Sequence, residues 1–205
     1  MTPMNQTNQP TQINRSKPMF WLSLALLSLT TCFTLHAAPA STGLEDENLL
    51  QNLPDGFKIV TQERKGNFSL MEMVPKAESV DDWTQMVTTQ IFYGAGDLSF
   101  DNYKADMEQR WKAACDTSDS TPVTDGHENG YAFRIWLETC HFNDTKRKPE
   151  ITWFKIIQGN DSAYVVQVAF HFEPSKEQVV QWMRYLKKAV VCDSRLKDRA
   201  CPAVK

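Results

Sequence analysis

The sequence predicts an α+β domain, a mainly antiparallel sheet covered by helices, with elements in the order ββααβββ(β)α. Three observations carry this. A strand–turn–strand pattern opens the domain around Lys65-Gly66-Asn67. Amphipathic segments with capping residues follow that hairpin, and another closes the chain. Between them, residues 131–142, 151–158 and 163–172 are rich in aromatic and β-branched side chains and apolar on both faces, as expected of strands covered on both sides.

Residues 1–40 stand apart. A polar stretch charged only by Arg15 and Lys17 leads into the seventeen mostly apolar residues Met19–Leu35 and then Ala37-Ala-Pro-Ala40. A basic segment, an apolar core and a small-residue exit make a secretory signal peptide, with cleavage expected after Ala37 or Ala40. The apolar run is near the lower limit for a spanning helix, and Thr30 and Thr31 weaken it further. Leu29-Thr-Thr-Cys32 is a poor lipid-attachment motif, because Thr31 stands where a smaller residue is wanted and Phe33-Thr-Leu35 continues the apolar core. A periplasmic or secreted protein is therefore expected, without a lipid on Cys32 and without a transmembrane segment after cleavage.

Removal of the leader takes two positive charges and no negative ones. The remaining 165 residues hold 20 Lys/Arg against 25 Asp/Glu, a formal net charge of −5, which argues against general nucleic-acid binding. Residues 41–55 read as a polar linker or short helix, 56–193 as a single domain, and 194–205 as a tail.

Within the domain, residues 57–63 and 67–74 are expected to pair as a hairpin. A helix is then expected from Ser79, with Asp82 at its positive end and Val80, Trp83, Met86, Val87 and Ile91 as its apolar stripe; Gly94-Ala-Gly96 ends it. A second helix over 99–115 buries Phe100, Tyr103, Met107 and Trp111 and turns Asp101, Lys104, Glu108 and Lys112 to solvent. Residues 116–130 form a connection, with room for a short strand near Pro122-Val-Thr124. Three strands follow. The last helix opens on Ser175 and Gln178, an S-x-x-Q capping box, and buries Val179, Trp182, Met183, Leu186 and Val190.

Four cysteines follow the leader: Cys115, Cys140, Cys192 and Cys201. An even number in an exported chain suggests two disulfides, and three connectivities are open. Cys192–Cys201 is favoured, since it closes a short loop and ties the tail to the last helix, which leaves Cys115–Cys140. No C-x-x-C or H-x-x-x-H spacing supports a metal, and no cofactor is expected.

The element order resembles the Mog1/PsbP-like fold, an α/β/α sandwich. The segment Met73-Val-Pro-Lys…Ser79-Val-Asp-Asp-Trp83-Thr-Gln-Met86 is similar to a stretch found in small exported proteobacterial proteins. The resemblance implies binding or assembly roles rather than catalysis, by analogy alone.

Few residues carry chemistry. His127 lies in a turn-rich segment; His141 directly follows Cys140, and adjacent strand residues point to opposite faces, so that cysteine and histidine do not meet. His171 shares a face with Gln167, and a buried polar pair needs partners, which Arg134 and Glu138 on a neighbouring strand are placed to supply. This is read as a structural network, or else as a pocket. Met71 and Met73 are read as core filling. Thr84, Gln85, Thr88, Thr89 and Gln90 make a charge-free face opposite the stripe of Trp83, a surface for a partner. No nucleophile elbow, P-loop, dinucleotide turn or H-E-x-x-H occurs.

The function expected is an exported, non-enzymatic binding or accessory protein of the bacterial envelope. It would recognise a protein or envelope ligand around Trp83, Thr84, Thr88 and Gln90. The alternatives are a periplasmic hydrolase with a pocket at His171, Arg134 and Glu138, and an immunity or inhibitor protein.

Overall fold

The structure is a computed structural model and describes residues 44–143 and 147–202. The leader, its two cleavage points and Cys32 lie outside the described residues, as does part of the basic run at 146–148. Among the described residues the chain forms nine strands and two α-helices. Strands β2 (Phe57–Lys65), β3 (Phe68–Pro75), β4 (Gln85–Tyr93), β5 (Thr117–Glu128), β6 (Tyr131–His141), β7 (Glu150–Gln158) and β8 (Ser162–Phe170) make one sheet in the order β2-β3-β4-β8-β7-β6-β5. Every neighbouring pair in it is antiparallel. A separate ribbon pairs β1 (Glu47–Leu50) with β9 (Val190–Asp193).

The period of two along each strand divides the side chains between two cores. On one face Trp136, Phe154, Ile156 and Val165 meet Tyr103, Met107 and Trp111 of α1 (Phe100–Ala114). On the other, Val87, Trp153, Val166, Val168 and Phe170 meet Trp182 and Leu186 of α2 (Lys176–Lys188), and Val191 of the ribbon covers Phe133, Ile157 and Tyr164. The domain is thus α+β, with its antiparallel sheet covered by helices as expected. Both helices begin where their caps are. Ser99 Oγ accepts from the Asn102 backbone N–H at 3.3 Å, and Ser175 and Gln178 complete the capping box. Met73 is wholly buried and Met71 packs against the same core.

Four expectations are corrected. The segment expected as a helix from Ser79 is strand β4. Ser79 and Asp82 do meet as a cap would, with Asp82 N–H donating to Ser79 Oγ at 3.3 Å, but they close only a turn. Val87, Thr88, Thr89 and Ile91 are β-branched and favour strand. Because both sheet faces are covered, the strand lacks the polar alternation that distinguishes it from a helix. Residues 41–55, expected as a linker, contain β1. The connection over 116–130 is the twelve-residue edge strand β5, polar because most of it is exposed. The last helix stops at Lys188, so Val190 belongs to β9.

The disulfides join Cys115 to Cys140 and Cys192 to Cys201. The first ties the end of α1 to β6. The second returns the tail to β9. Two charges lock the ribbon side, one half-buried and one buried. Glu47 accepts from the backbone N–H groups of Asn160 (2.5 Å), Asp161 (3.2 Å) and Ser162 (3.1 Å) and from the Tyr164 hydroxyl (3.1 Å), clasping the β7–β8 turn. Lys155, fully buried, donates to the Leu186 and Ala189 carbonyls at 2.9 Å each and to Glu128, capping the end of α2. Burial pushes its ammonium below the usual lysine range, and Glu128 opposes that shift.

Candidate functional site

Three places on the domain carry candidate side chains, and expected site residues lie in the first two. At one end of the sheet the Trp83 indole stacks on the His171 imidazole, ring centroids 3.6 Å apart. His171 Nδ1 lies 3.0 Å from the Trp83 carbonyl, and the His171 backbone N–H donates to the Thr84 carbonyl at 2.9 Å. Glu150 Oε2 is 3.8 Å from Nε2. Thr84 is exposed, but its hydroxyl and its backbone N–H both donate to Glu78 at 2.7 Å. Thr88 is buried in β4, and Gln90 accepts from the Tyr103 hydroxyl at 3.0 Å. Of these four residues, Thr84 alone is exposed.

The pocket expected around His171 is not assembled. Gln167 sits opposite Thr88 and Phe154, inside the sheet. Arg134 lies opposite Ile156 and pairs with Asp101 at 2.5 Å. Glu138 lies opposite Thr152 and Ser120. His171 is beyond the end of β8, with Trp83 and Glu150 as its company. His127 and His141 are exposed.

The second place is a notch of about 300 Å³ between α1 and β5, lined by Glu108, Lys112, Ser118, Asp119, Ser120 and Glu138. Lys104, expected to face solvent, instead reaches over it, donating to Ser120 Oγ at 2.7 Å and to Glu108. Glu138 is 1% exposed, and its Oε1 has no hydrogen-bond partner among the described residues. Burial pushes its carboxyl above the usual range, while Ser120, Lys104 and the Trp136 indole pull the other way. Glu108 is held below that range by Lys104 and Ser120.

The third place was not legible beforehand. A cleft of about 540 Å³ opens between α2 and the segment entering β2. Its floor holds Phe57 and Trp182, packed edge to face at 5.4 Å. One wall is Asn52–Asp55 and the other Gln181, Arg184, Tyr185 and Lys188. Tyr185 fixes the first wall: its hydroxyl donates to the Asn52 carbonyl at 2.8 Å and accepts from Gln51 Nε2 at 2.9 Å. Gln51 in turn accepts from Thr89 at 2.7 Å. The walls lie 133 residues apart in sequence, so no local pattern joins them. The available signals were Leu53 beside Pro54-Asp55-Gly56 and the cations Arg184, Lys187 and Lys188 in an otherwise acidic chain. Leu53 is 50% and Val180 42% exposed.

Among the described residues no group of three or more His, Cys, Asp or Glu side chains is arranged to hold a metal ion, and no helix is long and apolar enough to cross a membrane. No known protein family matches this sequence, and no curated protein does. Among solved structures, cyanobacterial PsbP (CyanoP) from Synechocystis sp. PCC 6803 is similar at a TM-score of 0.43 and 6% identity, over 75% of this chain and 95% of that one. LpqN, involved in cell envelope biogenesis of Mycobacterium tuberculosis, is similar at a TM-score of 0.36 and 10% identity, over 77% of this chain and 87% of that one. A likeness of this degree carries no residue correspondence and no activity to this chain.

Proposed function

We propose that this chain is an exported, non-enzymatic binding or accessory protein of the cell envelope, and that it holds a protein partner in the cleft between α2 and residues 52–57. The cleft is the observation that carries this reading. It offers an aromatic floor, amide groups that both donate and accept, and a cationic rim, with Leu53 and Val180 exposed nearby. Exposed apolar residues beside cations in a preorganised wall suit protein recognition. The leader and the two disulfides support an oxidising compartment outside the cytoplasm. The hydrolase reading loses its support, because His171 is separated from Arg134 and Glu138.

Site-specific photo-crosslinking in the exporting cell tests this. A photoreactive residue at position 53 is expected to trap one discrete partner, and one at Val123, exposed on β5, is not. Arg184→Glu with Lys188→Glu should abolish the product at unchanged Tm. Equal labelling from both positions, or none from position 53, would overturn the reading.

A further inference from the structure

We propose that Glu138 forms the floor of a binding site for an organic cation, an alkylammonium or guanidinium group, in the notch between α1 and β5. This inference is independent of the cleft on the other face of the sheet. It starts from an imbalance of partners. Glu138 lies in β6 with Ser120 and Thr152 opposite it, and Lys104 is the ammonium closest to those groups in the hydrogen-bond network. That ammonium already serves Glu108 and Ser120. Glu138 Oε1 accepts no well-formed hydrogen bond among the described residues, in a residue that is almost wholly buried and lines an open space; the Trp136 indole N–H on the same face of β6, itself without a formed hydrogen bond, pulls on this carboxyl only weakly. Buried acceptors without donors are uncommon and call for a specific explanation.

The surroundings select the sign of the ligand. Three carboxylates line the notch, Glu138 below and Glu108 and Asp119 at the rim, against Lys112 on its wall and Lys104 above. Asp119 has no ion pair among the described residues. An anion would meet all three carboxylates. A metal ion would need more ligands than the described residues bring together. An ammonium or guanidinium group carries several N–H donors on one charge, and so satisfies Glu138 Oε1 and the rim at once. The volume of about 300 Å³ admits the end of an aliphatic amine and excludes a folded partner.

Charge state supplies a signature. Burial favours neutral Glu138, whereas a cation favours the carboxylate. The charged groups facing it are Lys104, Glu108 and Lys112 from α1 and Asp119 from β5, with Glu150 of β7 reached through Thr152. Glu108 is already held ionised by Lys104, so Glu138 is the group that changes state. Binding should therefore strengthen as pH rises through its titration and release a proton.

Isothermal titration calorimetry of the disulfide-intact protein tests this with two probes, putrescine for a free amine and N-acetyl-lysine amide for a protein side chain. At least one should bind, and whichever binds more tightly identifies the source. Affinity should weaken by roughly tenfold or more in Glu138→Gln. It should be unchanged in Asp125→Asn, farther along β5. It should strengthen between about pH 5 and about pH 7.5, with a heat that depends on the buffer's ionisation enthalpy. Should Glu138→Gln not fold, Asp119→Asn serves instead, with a loss of a few-fold expected. No heat from either probe at millimolar concentration, or unaltered binding in the folded variant, would overturn the proposal.

Discussion

The Trp83 indole covers the His171 imidazole at 3.6 Å, and the same histidine holds the Trp83 carbonyl through Nδ1. One side chain from the end of β8 thereby fixes the turn that feeds β4. This contact is structural in character: it joins two strands at a sheet end and opens onto no pocket formed with Arg134 or Glu138.

His171→Ala is accordingly expected to destabilise the domain by about 1–2 kcal/mol, the sum of a ring stack and one net hydrogen bond. Urea denaturation checks it. An unchanged midpoint, with the same dependence on denaturant, would show that the stack contributes nothing.

Glu47 gathers three backbone N–H groups and the Tyr164 hydroxyl. Glu47→Gln keeps the shape and removes the charge that strengthens those bonds, for an expected loss of about 2 kcal/mol. Amide exchange at Asn160, Asp161 and Ser162 should accelerate more than at Val166 in the middle of β8. Gly159→Ala should harm the same clasp sterically, since a Cβ there would stand 2.1 Å from Glu47 Oε1 and 2.7 Å from the Ser162 carbonyl oxygen.

The two disulfides should differ in what their removal costs. Cys192 and Cys201 are nine residues apart, Cys115 and Cys140 twenty-five. Loop-closure entropy predicts about 2.7 kcal/mol for the shorter loop and about 3.5 kcal/mol for the longer. Paired serine substitutions measured by denaturation give the order. A costlier short loop would show that native contacts of the tail, such as Arg199 over Tyr131 at 4.8 Å, outweigh chain entropy.

Glu138 makes stability depend on pH in a stated direction. Its folded pKa is raised above the ordinary 4.5, so the folded state binds the proton more readily. The contribution is fully present below about 4.5 and is lost as pH rises through the folded value. Glu138→Gln, which never ionises, should therefore gain on the wild type as pH rises from acid to neutral. Tm profiles of the two proteins that run parallel across this range would refute the burial effect.

The layering was legible because helices 99–115 and 175–188 carry caps and stripes, and because strands β6 to β8 are apolar on both faces. The same double coverage concealed β4. Val80, Trp83, Met86, Val87 and Ile91 satisfy a helical period only when the polar residues between them are taken to be exposed, and Thr88 and Thr89 are buried. β5 was hidden for the opposite reason, an edge strand wet enough to read as a loop. Glu138 was read only as a partner for Gln167 and His171. Its actual neighbours, Ser120 and Lys104, came from segments read as a connection and a solvent face. The cysteine pairing was legible because the short loop favours Cys192–Cys201, which leaves Cys115 for Cys140.

The ribbon of β1 and β9 has a mechanical consequence. Glu47 stands opposite Asp193, so the chain enters and leaves the domain at adjacent backbone positions. Tension applied through the two flanking segments would peel the ribbon open one pair at a time, instead of shearing all its hydrogen bonds together. The seven-stranded sheet carries none of that load until the ribbon has parted. An unfoldase pulling on either flank would meet the weakest geometry first, and the β7–β8 turn would lose its Glu47 clasp at that first step.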